Sequence, residues 1–264
     1  MKNNLNNKVV LITGASSGIG RQLALDIAKQ GSKLILVARS EERLMSVKKQ
    51  IVSNGGYPPA VWTMDVGNGE RVDQLLPKLL NEMPAIDVLI NNAGFGKFDA
   101  FVEADMKDIE AMFDVNVIGL MRFTSHVLPI MIQAGKGHVV NIASQAGKLA
   151  TPKSSGYSAS KHAVLGFSNS LRMEVKTHGV CVTTVNPGPI KTNFFDIADS
   201  SGTYTKNVEK MMLSPEKVSK EIISAIEKGK REVNLPGWMN AGAKLYHTAP
   251  GLVEKAAGKF FDQK

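Results

Sequence analysis

The chain has 264 residues, 43% hydrophobic and 21% charged, with a formal net charge of +8. This length suits one large α/β domain with a substantial core, and the composition argues against a disordered chain. The positive charge is scattered, with no basic block longer than Gly229-Lys230-Arg231 and no interleaved aromatics for base stacking, so nucleic-acid binding is not expected. A positive field of this kind suits a phosphorylated, anionic cofactor.

The N-terminus, Met1 to Lys8, is polar and runs directly into Val9-Val-Leu-Ile12, too short for the apolar region of a signal peptide. No uninterrupted run reaches the roughly eighteen apolar residues that span a bilayer, so a soluble protein is expected. Val9–Ile12, Lys33–Val37, Ala60–Met64, Asp87–Ile90, Gly137–Ile142 and Val180–Val185 read as strands, several of them apolar without strict alternation. Continuous apolar strands are what a sheet covered on both faces requires. Helical periodicity fills the intervals over Gly18–Gln30, Glu41–Ser53, Gly69–Met83, Met106–Gln133 and Gly156–Thr177. Regular β-α alternation predicts right-handed crossovers and a single-domain Rossmann fold, a doubly wound parallel sheet of about seven strands flanked by helices. The single cysteine, Cys181, lies in the sixth apolar run and reads as a buried core thiol, in keeping with a reducing, cytoplasmic compartment.

After Pro187 the pattern weakens. Gly188 to Leu213 is polar and weakly periodic and reads as a long substrate lid. Ser214-Pro215-Glu-Lys217 has the form of a helix start, with Ser at the N-cap and Pro at the first helical position. Glu232–Leu235 is a candidate last strand, and Trp238–Lys264 an amphipathic extension broken at Pro250. No repeat or low-complexity linker divides the chain, so residues 1–264 read as one domain.

The first strand is followed by Thr13-Gly14-Ala15-Ser16-Ser17-Gly18-Ile19-Gly20 and then a helix. A strand, a glycine turn and a helix N-terminus present bare N–H groups to a pyrophosphate, although such a glycine trio is often only loop punctuation. Gly14 permits the turn, Gly18 a close approach to phosphate, and Gly20 close helix packing. At the end of the second strand, where an NAD enzyme is expected to hold a carboxylate, stand Ala38 and Arg39. A guanidinium there suits a 2′-phosphate and favours NADP(H) over NAD, against the simpler reading of a solvated arginine. Asp65 either accepts from an adenine amino group, with Val66 against the ring, or caps the next turn. Asn91-Asn92-Ala93-Gly94 follows the fourth strand at the carboxyl edge, where open sheets collect ligands.

Tyr157-Ser-Ala-Ser-Lys161 opens a helical stretch and places a phenol and an ammonium on one face. A free phenol titrates near 10, and an ammonium within about 4–6 Å is expected to bring it down toward neutrality. Ser144 ends the fifth strand and either donates to a carbonyl oxygen or caps a turn. The ordered set Thr13-Gly14-x-x-x-Gly18-Ile19-Gly20, Asn91-Asn92-Ala93-Gly94, Ser144, Tyr157-x-x-x-Lys161 and Pro187-Gly188-x-Ile190-x-Thr192 resembles the short-chain dehydrogenase/reductase family over about residues 8 to 235. That resemblance implies an oxidoreductase exchanging a hydride between NADP(H) and a carbonyl or alcohol. It adds Asn116 to a catalytic set with Ser144, Tyr157 and Lys161, its side chain or main chain holding a water beside Lys161. It also implies cofactor contacts from Lys161, Pro187, Gly188, Ile190 and Thr192, and a homodimer or homotetramer formed through the helices after Met106 and Gly156.

Gln145, Phe194 and neighbouring aromatics are candidate substrate contacts for a hydrophobic carbonyl compound. No metal site is expected, and the tail is expected to pack on the protein or on a sister subunit rather than on a membrane. The rival readings are a non-catalytic NADP(H)-binding redox sensor, an extended epimerase or dehydratase, for which the chain is short, and a nucleic-acid module.

Overall fold

The computed structural model describes residues 4–83, 85–199 and 201–261, with residues 256–261 described by backbone alone. Seven strands form one parallel sheet: β1 Val9–Thr13, β2 Lys33–Ala38, β3 Ala60–Thr63, β4 Val88–Asn91, β5 Gly137–Ile142, β6 Val180–Pro187 and β7 Glu232–Leu235. Their spatial order is β3-β2-β1-β4-β5-β6-β7, so the chain reverses its direction of travel between β1 and β4. The helices are α1 Gly18–Ala28, α2 Glu41–Ser53, α3 Gly69–Glu82, α4 Met106–Phe113, α5 Leu120–Gln133, α6 Ser155–Glu174, α7 Phe194–Ala198, α8 Thr203–Val208, α9 Pro215–Lys228, α10 Gly237–Thr248 and α11 Pro250–Phe261.

The apolar strands divide their side chains between two cores. Val10 and Ile12 of β1, Leu34 and Leu36 of β2 and Val88 and Ile90 of β4 pack with Leu23, Leu44, Ile222 and Ile226 on one face. Leu11, Ile35, Val37 and Leu89 point the other way, into Leu76, Phe123, Val127 and Met131. A period of two on a sheet buried on both sides leaves no polar positions, which is why the strands look continuous in sequence. Each fully buried Leu or Ile contributes about 1.5–3 kcal/mol against exposure, and the two layers together hold the sheet edge on which the candidate site is built.

Local signals decide the helix starts. Ser40 Oγ accepts from Arg43 N at 3.3 Å at the head of α2, Asn68 Oδ1 from Arg71 N at 3.0 Å at α3, and Ser214 Oγ from Lys217 N at 3.3 Å at α9. Residues 188–213 are more ordered than their sequence suggests. They hold α7, α8 and a bridge between Ile190 and Leu213. The weak periodicity has a physical reason: α7 and α8 are short and fastened by polar contacts rather than by an apolar stripe. Asp199 Oδ1 accepts from Ser201 Oγ at 2.9 Å, while Oδ2 accepts from Thr205 N and Oγ1, both at 2.8 Å.

Two further expectations are revised. The helical segment Met106–Gln133 is interrupted by a π-helical turn over Asp114–Gly119. Gly119 there lets the Val66 carbonyl approach, since a Cβ would lie 2.4 Å from that oxygen. With that turn included, Met106–Gln133 is one helix long and apolar enough by composition to cross a membrane, and its apolar face packs on the sheet through Phe123, Val127 and Met131. Cys181 is half-buried rather than buried. The C-terminal extension folds back as α10 and α11, broken at Ala249-Pro250 as the sequence suggests. The side chains of Phe260 and Phe261, and residues 262–264, lie outside the described residues.

His138 of β5 is 4% exposed, with Nε2 2.7 Å from Thr183 Oγ1, and burial pushes its pKa down from 6.5 to about 4. The unfolded chain therefore takes up the proton first as pH falls, and stability present above pH 6.5 is lost progressively toward pH 4. The full difference corresponds to about 3 kcal/mol. Urea denaturation at stepped pH should show that slope in the native sequence and a flatter one in His138→Gln.

Candidate active site

The reversal between β1 and β4 opens a crevice at the carboxyl edge of the sheet, the place where doubly wound folds bind ligands. A cavity of about 420 Å³ fills it. At one end lie Arg39, Ser40 and Arg43, in the middle Gly14, Ser16, Ser17, Gly18 and Ile19, and at the other end Ser144, Tyr157 and Lys161. Asp65, Val66, Asn92, Ala93, Gly94, Pro187, Gly188, Ile190 and Thr192 also border it, so nearly all of the cofactor positions read from sequence share one space.

The glycine turn is built as its spacing requires. Gly14 and Gly18 take positive φ, +65° and +51°. Ser17 stands at the N-cap of α1 without a side-chain capping bond, so the first N–H groups of that helix keep their donors for an anion beside the turn. Gly20 is the exception to the cofactor assignment. It does not border the cavity but packs inward, where a Cβ would lie 2.3 Å from Gly14 O and 2.5 Å from Asn92 Nδ2. Its visible service is to close packing of α1 against the loop. Asn92 in turn binds the loop from below: its Nδ2 donates to Thr13 O at 3.0 Å and Gly14 O at 3.2 Å.

Asp65 is the only acid among the described residues that border the cavity, and its Oδ1 accepts from Gly67 N at 3.0 Å. The turn-capping reading is thus realised. Arg43 was not evident from its sequence position. The signal was nevertheless present, because a Ser40 N-cap puts residue 43 in the first helical turn, on the side of Arg39. Two guanidiniums and an uncapped helix N-terminus fit a phosphorylated dinucleotide, and no lining carboxylate competes at Ala38.

Tyr157 and Lys161 occupy successive turns of α6, and both are buried, at 7% and 5% exposure. Lys161 Nζ donates to Ile142 O, the last carbonyl of β5, at 2.9 Å and lies 5.8 Å from the Tyr157 ring centroid. Burial lowers the Lys161 pKa to about 8. Burial likewise pushes the Tyr157 phenol up to about 12, with the Ser144 side chain pulling it partly back. A phenol tuned down by the neighbouring ammonium was expected from sequence. In the chain alone desolvation outweighs that attraction, and the phenol is a protonated acid at neutral pH. Ser144 Oγ accepts from Ala146 N at 3.0 Å and is 3.5 Å from Pro187 O, so the serine caps its turn while facing the cavity.

Asn116 sits in the π-helical turn, 1% exposed and behind the cavity wall. Its Oδ1 accepts from Phe95 N at 3.0 Å, and its Nδ2 donates to Phe95 O at 2.9 Å and Ser160 Oγ at 3.1 Å. Both amide donors are engaged, and the side chain ties the Phe95 loop to α6. Gln145 borders the cavity and also anchors the turn, its Nε2 donating to Asn186 O at 2.9 Å.

Above Tyr157 stands an aromatic wall. Phe98 is its hub, with centroid distances of 5.8 Å to Tyr157, 6.4 Å to Phe194, 6.4 Å to Phe195 and 5.4 Å to Tyr204. Phe194 lies 5.7 Å from Tyr157. Gly96 makes the stacking possible, since a Cβ there would be 2.9 Å from Phe194 and 3.0 Å from Tyr157. Met239 of α10, Leu149 and Thr151 complete the wall. Met239 and Leu149 could not be picked out from sequence, because lone apolar residues in weakly patterned segments carry no positional signal.

The arrangement brings an anion cradle and a buried acid to the two ends of one cavity. The sequence pattern of the short chain dehydrogenases matches residues 8–201. An uncharacterized oxidoreductase of Staphylococcus saprophyticus is 41% identical over 188 residues, 71% of this chain and 80% of that protein. A short chain dehydrogenase/reductase from Burkholderia phymatum, solved in complex with NAD, superposes with a TM-score of 0.86 at 27% identity, covering 94% of this chain and 96% of that one. An alcohol dehydrogenase from the archaeon Thermococcus sibiricus, complexed with 5-hydroxy-NADP, gives a TM-score of 0.76 at 27% identity over 86% of this chain and 94% of its own. With the fold, the edge cavity and these relatives in agreement, the chain belongs to the short-chain dehydrogenase/reductase family of oxidoreductases.

Proposed function

We propose that this protein is an NADP(H)-dependent oxidoreductase that interconverts an apolar carbonyl compound and its alcohol. The observation that carries the reading is the single cavity joining the Arg39–Arg43 end and the uncapped α1 N-terminus to Tyr157, Lys161 and Ser144. Arg39, Ser40 and Arg43 would hold a 2′-phosphate, the Gly14–Ile19 turn the pyrophosphate, and Ile190, Thr192 and Lys161 the nicotinamide end. A nicotinamide dinucleotide bound there supplies the hydride donor or acceptor. The relatives leave the phosphate question open, since one solved complex holds NAD and another an NADP derivative. The pair of arginines favours NADP(H) here.

The chain's own residues handle the proton. Tyr157, whose proton burial holds more firmly still, donates to the carbonyl oxygen as negative charge gathers there. Ser144 Oγ lies beside the phenol and steadies the same oxygen. Lys161, pinned at Ile142 O, keeps a positive charge below the phenol and supports its reprotonation. Phe98, Phe194, Phe195 and Leu149 offer an uncharged substrate wall and exclude water from the acid. Residues 188–213 act as the lid, because α7 and α8 supply Phe194, Phe195 and Tyr204 to that wall.

Tyr157→Phe is expected to keep NADPH affinity and to lose about 10²–10⁴-fold in turnover with a panel of ketones, aldehydes and diketones, followed by NADPH absorbance. Wild-type rates in that variant would refute the assignment, and cofactor binding by the native protein with no turnover on any compound would favour the sensor reading. Arg39→Asp should weaken NADPH binding about 10–100-fold in a fluorescence titration while leaving NADH binding level or improved. The pH profile follows from two buried groups. Lys161 carries its charge below about pH 8, so carbonyl reduction should decline as pH rises through that value. Alcohol oxidation, which needs the phenolate, should instead rise into the alkaline range. Initial rates in both directions across a pH series check the opposed slopes.

A further inference from the structure

The turn that carries Ser144 is fastened at its far end by Lys148. Its side chain is 13% exposed, with Nζ 2.7 Å from Glu232 Oε1 on β7 and donating to Asn240 Oδ1 on α10 at 3.1 Å. The same carboxylate accepts from Asn186 Nδ2 at 3.1 Å and, through Oε2, from Asn234 Nδ2 at 3.0 Å. Asn186 is fully buried, takes Gln145 Nε2 on its carbonyl, and precedes Pro187, whose carbonyl faces Ser144. The Ser144 turn, β6, β7 and α10 therefore meet at the Lys148–Glu232 pair, β6 and β7 through the carboxylate and α10 through the ammonium.

The α10 arm also reaches the cavity. Met239, next to Asn240, borders it and lies over Gly188, where a Cβ would come within 2.9 Å of Met239 Sδ. Burial alone would push the Glu232 carboxyl up, but the Lys148 ammonium and the Asn234 and Asn186 amides outweigh it and hold the group below the ordinary carboxylate range. The carboxylate is thus charged at neutral pH, and removing the lysine takes away its nearest cation. A merely stabilising ion pair would have no reason to join the cavity's serine turn to its outer wall.

We propose that Lys148 is a positioning residue which, by bridging Glu232 and Asn240, fixes the Ser144 turn and the Met239 wall as one unit, setting both the placement of Ser144 beside Tyr157 and the width of the cavity. The kinetic half of this proposal rests on the oxidoreductase reading; the structural half does not. The experiment compares native protein with Lys148→Met, Lys148→Arg and Asn240→Ala by three measurements. These are initial rates on matched small and bulky ketones, NADPH affinity by fluorescence, and amide hydrogen exchange over residues 144–149 and 237–248. Lys148→Met should lower kcat about tenfold or more, leave NADPH affinity within about twofold, relax the preference for ketone size, and speed exchange in both segments. Lys148→Arg should recover most of the rate, and Asn240→Ala should raise the rate with bulky ketones relative to small ones. Native kcat and size preference in Lys148→Met, or unchanged exchange over α10, overturns the proposal. If Lys148→Met does not fold, Asn240→Ala decides: an unaltered size preference together with unaltered α10 exchange overturns the proposal. If the native protein reduces no carbonyl compound, the functional reading fails. Exchange over the two segments then still decides the clamp, faster in Lys148→Met if it exists and unchanged if it does not.

Discussion

Lys161 is an ammonium at 5% exposure, and a cation that deep must find oxygen or give up its proton. The protein supplies one oxygen where the sheet can spare it. Ile142 ends β5, so its carbonyl has no further strand residue to serve and instead accepts from Nζ at 2.9 Å. A Cβ on Gly94 would touch Asn116 Oδ1 at 2.9 Å and Lys161 Nζ at 3.5 Å, which shows how tightly the loop after β4 closes over that charge. The ammonium thereby ties the end of β5 to α6. With its pKa near 8 it holds its proton at neutral pH but has little margin, so the charge remains responsive to whatever occupies the cavity.

The crossover between β1 and β4 creates the crevice, and close backbone approaches shape it. At Gly14, Gly20, Gly94, Gly96 and Gly147 an added Cβ would lie within 3 Å of a neighbour: Ala93, the Gly14 carbonyl, Asn116 Oδ1, Phe194 and the Lys161 carbonyl in turn. A Cβ on Gly147 would lie 2.8 Å from the Lys161 carbonyl oxygen, so the Ser144 turn sits flush against α6. Helix and turn meet at this distance because there is no side chain between them, and the serine and the phenol consequently share one small space.

This economy explains what could be read in advance. Strands with apolar residues on both faces, glycines after the first strand, and Tyr157 with Lys161 one helical turn on are all local patterns, and the structure assembles them as the sequence implies. The positions that were misread depend on contacts between distant segments. The π-helical turn at Asp114–Gly119 answers to the Val66 carbonyl pressing on Gly119, some fifty residues away in sequence. That Asn186 holds Gln145 and Phe95 holds Asn116 is equally invisible in the local sequence. α7 and α8 form around one carboxylate, Asp199, which no hydrophobic period announces. Met239 enters the cavity only because α10 folds back across Gly188.

The elevated Tyr157 pKa and the apolar wall are consequences of the same packing. Phe98 and Phe194 stand within 5.8 Å of the phenol ring, centre to centre, and exclude water from the group they border. Desolvation keeps the proton on Tyr157, and the rings that cause it also form the surface a substrate must match. Acid strength and substrate selection are therefore coupled through one aromatic cluster. A change that opens the wall admits water, lowers the phenol toward its ordinary value near 10 and widens the cavity in the same step. A polar substrate would bring hydrogen-bonding groups against rings that cannot answer them, while an apolar carbonyl leaves the cluster closed and the oxygen alone to meet Ser144 and Tyr157. On this physical ground the uncharged, aromatic-walled end of the cavity and the protonated phenol select for the same kind of molecule.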